Sequence, residues 1–143
     1  MPGTYRPTLV DRAARRLAVA AIRLGLGDRR LYLLTVRDQE TGRLYSRPVT
    51  LIRHDGSRWL VSPFGEVRWI RDARAAGEVT LRRGRRPRTV SLDQVALPQA
   101  AAVLREYVRQ VPLVRSAFEA GPDSPLKQFE DEAPRHPVFR LPF

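Results

Sequence analysis

Residues 59–81, WLVSPFGEVRWIRDARAAGEVTL, join two strands through a turn and a short helix, and this succession decides how the whole chain is read. Trp59, Leu60 and Val61 form an apolar run suited to a buried strand. Pro63 and Gly65 stop it, the first by removing a backbone donor and the second by permitting a sharp turn. From Val67 the positions Val67, Ile70, Ala73 or Arg74, and Gly77 recur near helical spacing, with Arg68, Arg71 and Asp72 on the other side. Glu78 then opens a second strand. A strand-turn-helix junction presents backbone amides at the start of a helix, where an anionic part of a ligand can sit.

Outward from this segment the chain alternates short strands with turn sequences. LYLLTVR (31–37), LYSRPVTLIR (44–53), RWLVSP (58–63) and EVTLRR (78–83) are strand candidates, and Thr89 to Val95 supplies a fifth. Glu40, Thr41 and Gly42 mark one turn, and His54, Asp55 and Gly56 mark another. Pro98 opens a helix that runs through Gln110, Pro112 opens a shorter one, Ser124 and Pro125 start a third ending near Ala133, and Val138 to Leu141 is a last strand. Ahead of all this, Leu9 to Leu24 reads as a helix. Its apolar stripe is Leu9, Val10, Ala13, Leu17, Ala20 or Ala21, and Leu24, with arginines opposite, and Gly25 and Gly27 end it. The predicted architecture is α+β, an antiparallel barrel with helical cover, in one domain spanning 1–143 whose N-terminal segment 1–27 is the amphipathic helix.

A chain of 143 residues buries about two-thirds of its unfolded surface and folds without staples. It has no cysteine, which excludes disulfides, thiolate metal sites and a cysteine nucleophile. No apolar run approaches the ~20 residues that span a bilayer, and MPGTYRPT lacks the apolar core of a secretory signal, so a cytoplasmic location is expected. The net charge is +11, and all but one of the 26 basic residues are arginine, Lys127 being the exception. Such a surface favours polyanions. Nucleic-acid binding nevertheless lacks its supporting cast: no aromatic residue interleaves with Arg82, Arg83, Arg85, Arg86 and Arg88, which read as a solvated hairpin tip. The arginines of the N-terminal helix suit either an anionic membrane surface or a helix packed on the barrel, and its alanines and medium aliphatics favour packing over the ligand cavity.

The pattern Ser62, Pro63, Gly65, Glu66, Trp69, Arg71, Arg74, Ala75, Ala76 and Gly77 resembles the deazaflavin-dependent nitroreductase and quinone reductase family, small split-barrel proteins of high-GC actinobacteria that bind coenzyme F-420. The order of elements from about residue 9 to 142 agrees with it. The resemblance implies a split β-barrel of the flavin-reductase and pyridoxamine-phosphate-oxidase kind. It also implies an oxidoreductase that transfers hydride from reduced F-420 to a quinone, nitro compound or enone. The coenzyme would be held by Thr41, Gly42, Arg43, Arg47, Ser62, Pro63, Gly65, Trp69, Arg71 and Arg74. Phe64, Trp69 and Phe118 would wall the substrate pocket, and Tyr107 is the candidate proton donor. The partner is a small molecule, with a homodimer and contact of 9–24 with membranes as further expectations.

The chain departs from the family pattern in one place. The first hairpin of the resembled family carries Gly-Arg-Lys-Ser-Gly-x-x-Arg, whose cations and amides hold the coenzyme phosphate. Here Asp38, Gln39, Glu40, Thr41, Gly42, Arg43, Leu44 and Tyr45 stand there, and Asp72 replaces an asparagine of the following helix. A carboxylate in contact with a phosphate costs a few kcal/mol at an effective dielectric of about 20, so Arg43, Arg47, Arg71 and Arg74 would have to compensate. The alternative is a member that has lost its phosphate grip and binds or transforms an apolar metabolite without redox chemistry. Neither histidine, His54 or His136, has the spacing of a metal ligand set, so no metal is expected. Ser62, Asp123 and His136 have no nucleophile elbow around them and make no triad.

Overall fold

The computed structural model describes residues 9–23 and 29–143. Its elements are α1 (Leu9–Arg23), β1 (Leu31–Arg37), β2 (Leu44–His54), β3 (Ser57–Val61), α2 (Arg68–Ala76), β4 (Glu78–Arg83), β5 (Arg86–Ser91), β6 (Asp93–Gln94), α3 (Gln99–Gln110), α4 (Leu126–Glu132) and β7 (Val138–Leu141). Short 3-10 turns follow α3 and α4.

The seven strands pair in the order β5-β4-β1-β2-β3-β7-β6, each pair antiparallel. β2 is the pivot. Its first part, Leu44 to Thr50, pairs with β1, and its last part, Leu51 to His54, pairs with β3. The strand therefore passes from one sheet to the next, and the sheet curls into a split barrel. β5 pairs with β4 at one end of the strand order and β6 with β7 at the other, with only Leu92 between them. That short connection closes the curl. It also explains why the single strand expected at Thr89 to Val95 is two: its halves belong to opposite ends of the order.

The β2–β3 hairpin turns on Asp55 and Gly56, both at positive φ (52° and 73°), the backbone a two-residue turn between right-twisting strands requires. Two clusters of buried side chains flank the sheet. Ile52, Trp59, Val61 and Val138 pack against Val103, Leu104 and Tyr107 of α3 and Phe129 of α4. Leu34, Leu51, Leu60 and Phe139 pack against Trp69, Ile70 and Ala73 of α2. α2 thus lies over one core and α3 over the other, and the seam between them is where a ligand site opens.

α1 docks in a way the apolar stripe does not predict. Residues 12–17 are exposed, Leu17 at 72%, while Ile22 is buried and its carbonyl accepts the amide of Gly84. Ile22 stands five residues after Leu17, about 140° round the helix. The helix therefore meets the barrel through its C-terminal end at Ile22 and the half-buried Val19, and the stripe of Ala13, Leu17 and Ala20 faces outward. Burying Ile22 contributes about 2 kcal/mol; alanines offer little to bury, so the larger side chain sets the docking face. Leu9 and Val10 have undescribed side chains, and Leu24 lies outside the described residues.

Candidate functional site

A cleft of about 180 Å³ opens between the end of β3, the start of α2, β2 and α3, lined among others by Arg47, Pro63, Phe64, Trp69, Tyr107 and Val114. The turn after β3 shapes its floor. The buried Ser62 hydroxyl donates to the Gly65 carbonyl at 2.6 Å, and its amide donates to the Pro137 carbonyl at 2.9 Å. Gly65 sits at φ 85°, and a Cβ there would stand 3.2 Å from the Arg135 carbonyl, so no larger residue fits without strain. Ser62 and Gly65 therefore act through turn shape, since the Ser62 proton is already used.

Arg47 is the charged group of this cleft. Its guanidinium lies 5.6 Å from the centre of the Trp69 ring, and its Nε is buried without a hydrogen-bond partner among the described residues. Burial, and then the nearby Arg15 charge, lower its pKa from the ordinary value. A buried N–H left unsatisfied costs about 1–3 kcal/mol, which an acceptor on a ligand would recover. The Tyr107 ring is buried close by, and burial pushes the pKa of its hydroxyl up, so it holds its proton as a potential donor. Phe64 is 69% exposed at the cleft. Phe118 stands one layer back, its ring 6.2 Å from Tyr107 and stacked at 4.0 Å on His136.

His136 and Glu132 support the turn from beneath, a role the sequence reading did not assign. His136 Nδ1 donates to the Pro63 carbonyl at 2.8 Å, and its Nε2 meets Glu132 Oε1 at 3.1 Å. Glu132 also accepts the amides of Glu119 (2.9 Å) and Ala120 (2.7 Å). Burial opposes ionisation of Glu132, yet these two amides and the His136 ring together hold its pKa below the usual carboxylate range. The four-residue spacing was visible in EDEAPRH, but Pro134 between them argues against a continuous helix.

The hairpin between β1 and β2 forms a second basin, of about 520 Å³, lined by Asp38, Gln39, Glu40, Arg68, Arg71 and Asp72. Its anion-binding groups are occupied from within. Asp38 Oδ1 accepts the amides of Glu40 (2.8 Å) and Thr41 (3.0 Å), and Asp72 Oδ1 accepts the amide of Gln39 at 3.2 Å. Arg68 pairs with Asp38 and reaches Asp72 at 3.7 Å. The Tyr45 hydroxyl donates to Asp72 at 2.5 Å. The Thr41 and Glu40 amides, foremost, hold the pKa of Asp38 below its ordinary value. Gly42 is spent in the turn, its amide donating to the Asp38 carbonyl and its carbonyl accepting Arg37. Arg43 is exposed on the loop. Arg71 lines the basin as an exposed cation, whereas Arg74 points elsewhere, paired with Glu66 and bonded to Gln94 Oε1 at 2.7 and 3.2 Å. The structure thus brings Arg47, Ser62, Pro63, Phe64, Trp69 and Tyr107 together and leaves Thr41, Gly42 and Arg43 on a separate loop.

With this geometry in place, the sequence profile of the F420H(2)-dependent quinone reductase family matches residues 9–121. The chain belongs to that family. Solved structures agree on the fold. The chain is similar to the protein Atu2129, of unknown function, from Agrobacterium tumefaciens str. C58, with a TM-score of 0.59 and 16% identity over 96% of this chain and 58% of that one. It is also similar to an F420-H2 dependent reductase, FDR-A, with a TM-score of 0.54 and 15% identity over 80% of this chain and 96% of that one. A third structure, described as a domain-swapped dimer, gives 0.55 and 13% over 91% and 97%. No curated protein matches the chain. The two sites differ in what they could hold. The Arg47 cleft offers an orphaned buried donor beside aromatic walls and fits a ring system, whereas the hairpin, with its amides and its Arg68 satisfied by carboxylates, does not fit a phosphate.

Proposed function

We propose that this protein is a reductase that delivers hydride from reduced coenzyme F-420 to an electron-poor acceptor such as a quinone, nitro compound or enone. Family membership supports the coenzyme, and the observation that carries the place of binding is the unpartnered buried Nε of Arg47 in the Trp69 cleft. Arg47, Pro63 and Trp69 would hold the coenzyme ring there. When bound, the coenzyme supplies the hydride, and the protein's own task is to bind, orient and exclude water. The fixed Arg47 charge favours negative charge developing nearby. Tyr107, protonated at neutral pH, stands ready to give a proton to reduced substrate. Phe64 and, through Tyr107, Phe118 supply apolar walls for that substrate.

Because the hairpin does not receive a phosphate, coenzyme binding is weakened rather than lost. Titration of the purified protein with F-420, followed by fluorescence, tests this. No change up to about 1 mM coenzyme, a limit equal to only about 4 kcal/mol, removes the reductase reading. It would promote the second reading, favoured by the Asp38 and Asp72 contacts: a family barrel that binds an apolar, uncharged metabolite without redox chemistry. The protein is read as cytoplasmic and, by analogy with the domain-swapped relative, as a homodimer, with contact of residues 9–24 with a membrane surface as the alternative to packing. No helix among the described residues is long and apolar enough to cross a membrane. Light scattering and sedimentation with anionic vesicles check the last two points.

A further inference from the structure

At the β2–β3 hairpin end of β2, beside the last turn of α3, lies a cleft of about 380 Å³ lined by Arg29, Arg30, Arg53, Arg58, Tyr32 and Gln110, with Leu51 at its floor. None of the described residues that line it is acidic. Arg53 and Arg58 are direct cross-strand partners in the β2–β3 ladder, an arrangement in which like charges destabilise a sheet. Elsewhere on this surface arginines are matched by carboxylates, as in Arg68 with Asp38, Arg74 with Glu66, Arg109 with Glu106 and Arg135 with Glu119. Arg53 and Arg58 form no ion pair among the described residues, not even with Asp55 in the turn between them.

The rim is tied to α3 by hydrogen bonds, and the Arg58 guanidinium is oriented by a contact that leaves its charge intact. Arg30 Nη1 donates to the Gln110 carbonyl at 2.7 Å, and Gln110 Nε2 donates to the Arg53 carbonyl at 3.0 Å, tying α3 to the rim. The Arg58 guanidinium lies 4.9 Å from the centre of the Phe143 ring. Neutral anchors of this kind fix a guanidinium while keeping its outer N–H groups for a bidentate acceptor. The volume is that of a small-molecule site. Arg53 and Arg58, facing each other without an ion pair among the described residues at the edge of a cavity, supply what a site for a multiply charged anion requires.

We propose that this cleft binds a small ligand bearing two or more anionic groups, phosphates or carboxylates, with Arg53 and Arg58 as its primary contacts. The site shares no residue with the Trp69 cleft and stands whether or not that cleft binds a coenzyme.

Calorimetry with tripolyphosphate, citrate and inorganic phosphate at low ionic strength reads the affinity, with the tighter of the first two naming the chemical class. The expected result is binding of tripolyphosphate or citrate in the micromolar range, at least tenfold tighter than inorganic phosphate. Arg53→Gln with Arg58→Gln should lower that affinity at least tenfold. Arg85→Gln with Arg86→Gln, an equal loss of charge at the β4–β5 turn, should lower it less than threefold. The melting temperature gives a second readout: Arg53→Gln/Arg58→Gln should melt no lower than the unmodified protein, because a repulsive pair has been relieved, and should lose the stabilisation by ligand. Equal losses in the two double variants would reduce the effect to overall charge and overturn the site. So would failure of both multivalent probes to bind below about a millimolar, or a lowered melting temperature in Arg53→Gln/Arg58→Gln that shows the pair to be structural.

Discussion

The Tyr45 hydroxyl donates to Asp72 Oδ2 at 2.5 Å, across 27 residues of sequence. Each residue alone is a departure from the family pattern, an arginine become tyrosine and an asparagine become aspartate. Together they are partners, and with Asp38 and Arg68 they fill the hairpin where the resembled pattern carries its phosphate-binding groups. Restoring that hairpin therefore needs both changes. Tyr45→Arg with Asp72→Asn should tighten coenzyme F-420 binding at least tenfold in a fluorescence titration, whereas Asp72→Asn alone leaves the Tyr45 hydroxyl in the way and should gain less than threefold. Unchanged affinity in the double variant would show that the phosphate lies elsewhere.

The same bond has a titration signature. Burial first, and then the hydrogen bond to Asp72, push the Tyr45 pKa up to about 12. A phenol whose pKa is raised by folding contributes stability that is full below its unfolded value, about 10, and is lost as pH rises through the folded value. Ultraviolet titration should show one tyrosine ionising near 12, and Asp72→Asn should bring it back toward 10. A spectrum indifferent to that substitution would break the assignment.

Much of the succession of strands was legible because each is a run of alternating or continuous apolar residues closed by Gly, Pro or Asp; β1, β4 and β7 have the predicted limits. What was not legible depends on where residues meet in space. Thr89 to Val95 has strand character throughout, but its two parts answer to different partners. That Ser62, Pro63, Phe64 and Trp69 share one strand-turn-helix junction was readable because they are local. The Tyr45–Asp72 and His136–Pro63 bonds were not, since nothing in either sequence neighbourhood specifies the other.

The docking of α1 makes a contrasting pair of substitutions informative. Ile22→Ala should cost about 2–4 kcal/mol, since it empties a buried site. Leu17→Glu should stay within about 0.5 kcal/mol, because Leu17 is exposed. Equal losses in chemical denaturation would mean that the outward stripe packs after all.

Acid should weaken the fold through Glu132 and Asp38. Both carboxyls have pKa values lowered by folding. Their contribution is thus present above the unfolded values, around pH 4, and disappears as pH falls through the folded ones. Besides His136, Arg135 faces Glu132 at 3.9 Å and also pairs with Glu119. Glu132→Gln turns one acceptor into a donor opposite N–H groups and should cost about 2–3 kcal/mol at pH 7. Below pH 4 the gap between variant and parent should narrow. A constant gap from pH 7 to 3 would contradict the charged state assigned to Glu132.

Two arginines near the SPFG turn separate binding from structure. Arg47 has a buried donor with no acceptor among the described residues, while Arg74 is held by Glu66 and Gln94. Removing Arg47 takes away a cation that the protein does not itself use in a hydrogen bond, so the loss should fall on ligand affinity. Arg47→Met keeps the apolar stem against Trp69 and should weaken coenzyme binding at least tenfold, or about 1.4 kcal/mol, with the melting temperature unchanged or raised because a desolvated charge is gone. Arg74→Met should change affinity less than threefold and lower stability by no more than about 1 kcal/mol, the upper range for an exposed ion pair. The reverse ranking in a fluorescence titration would move the coenzyme site from the Trp69 cleft to the α2–β6 edge.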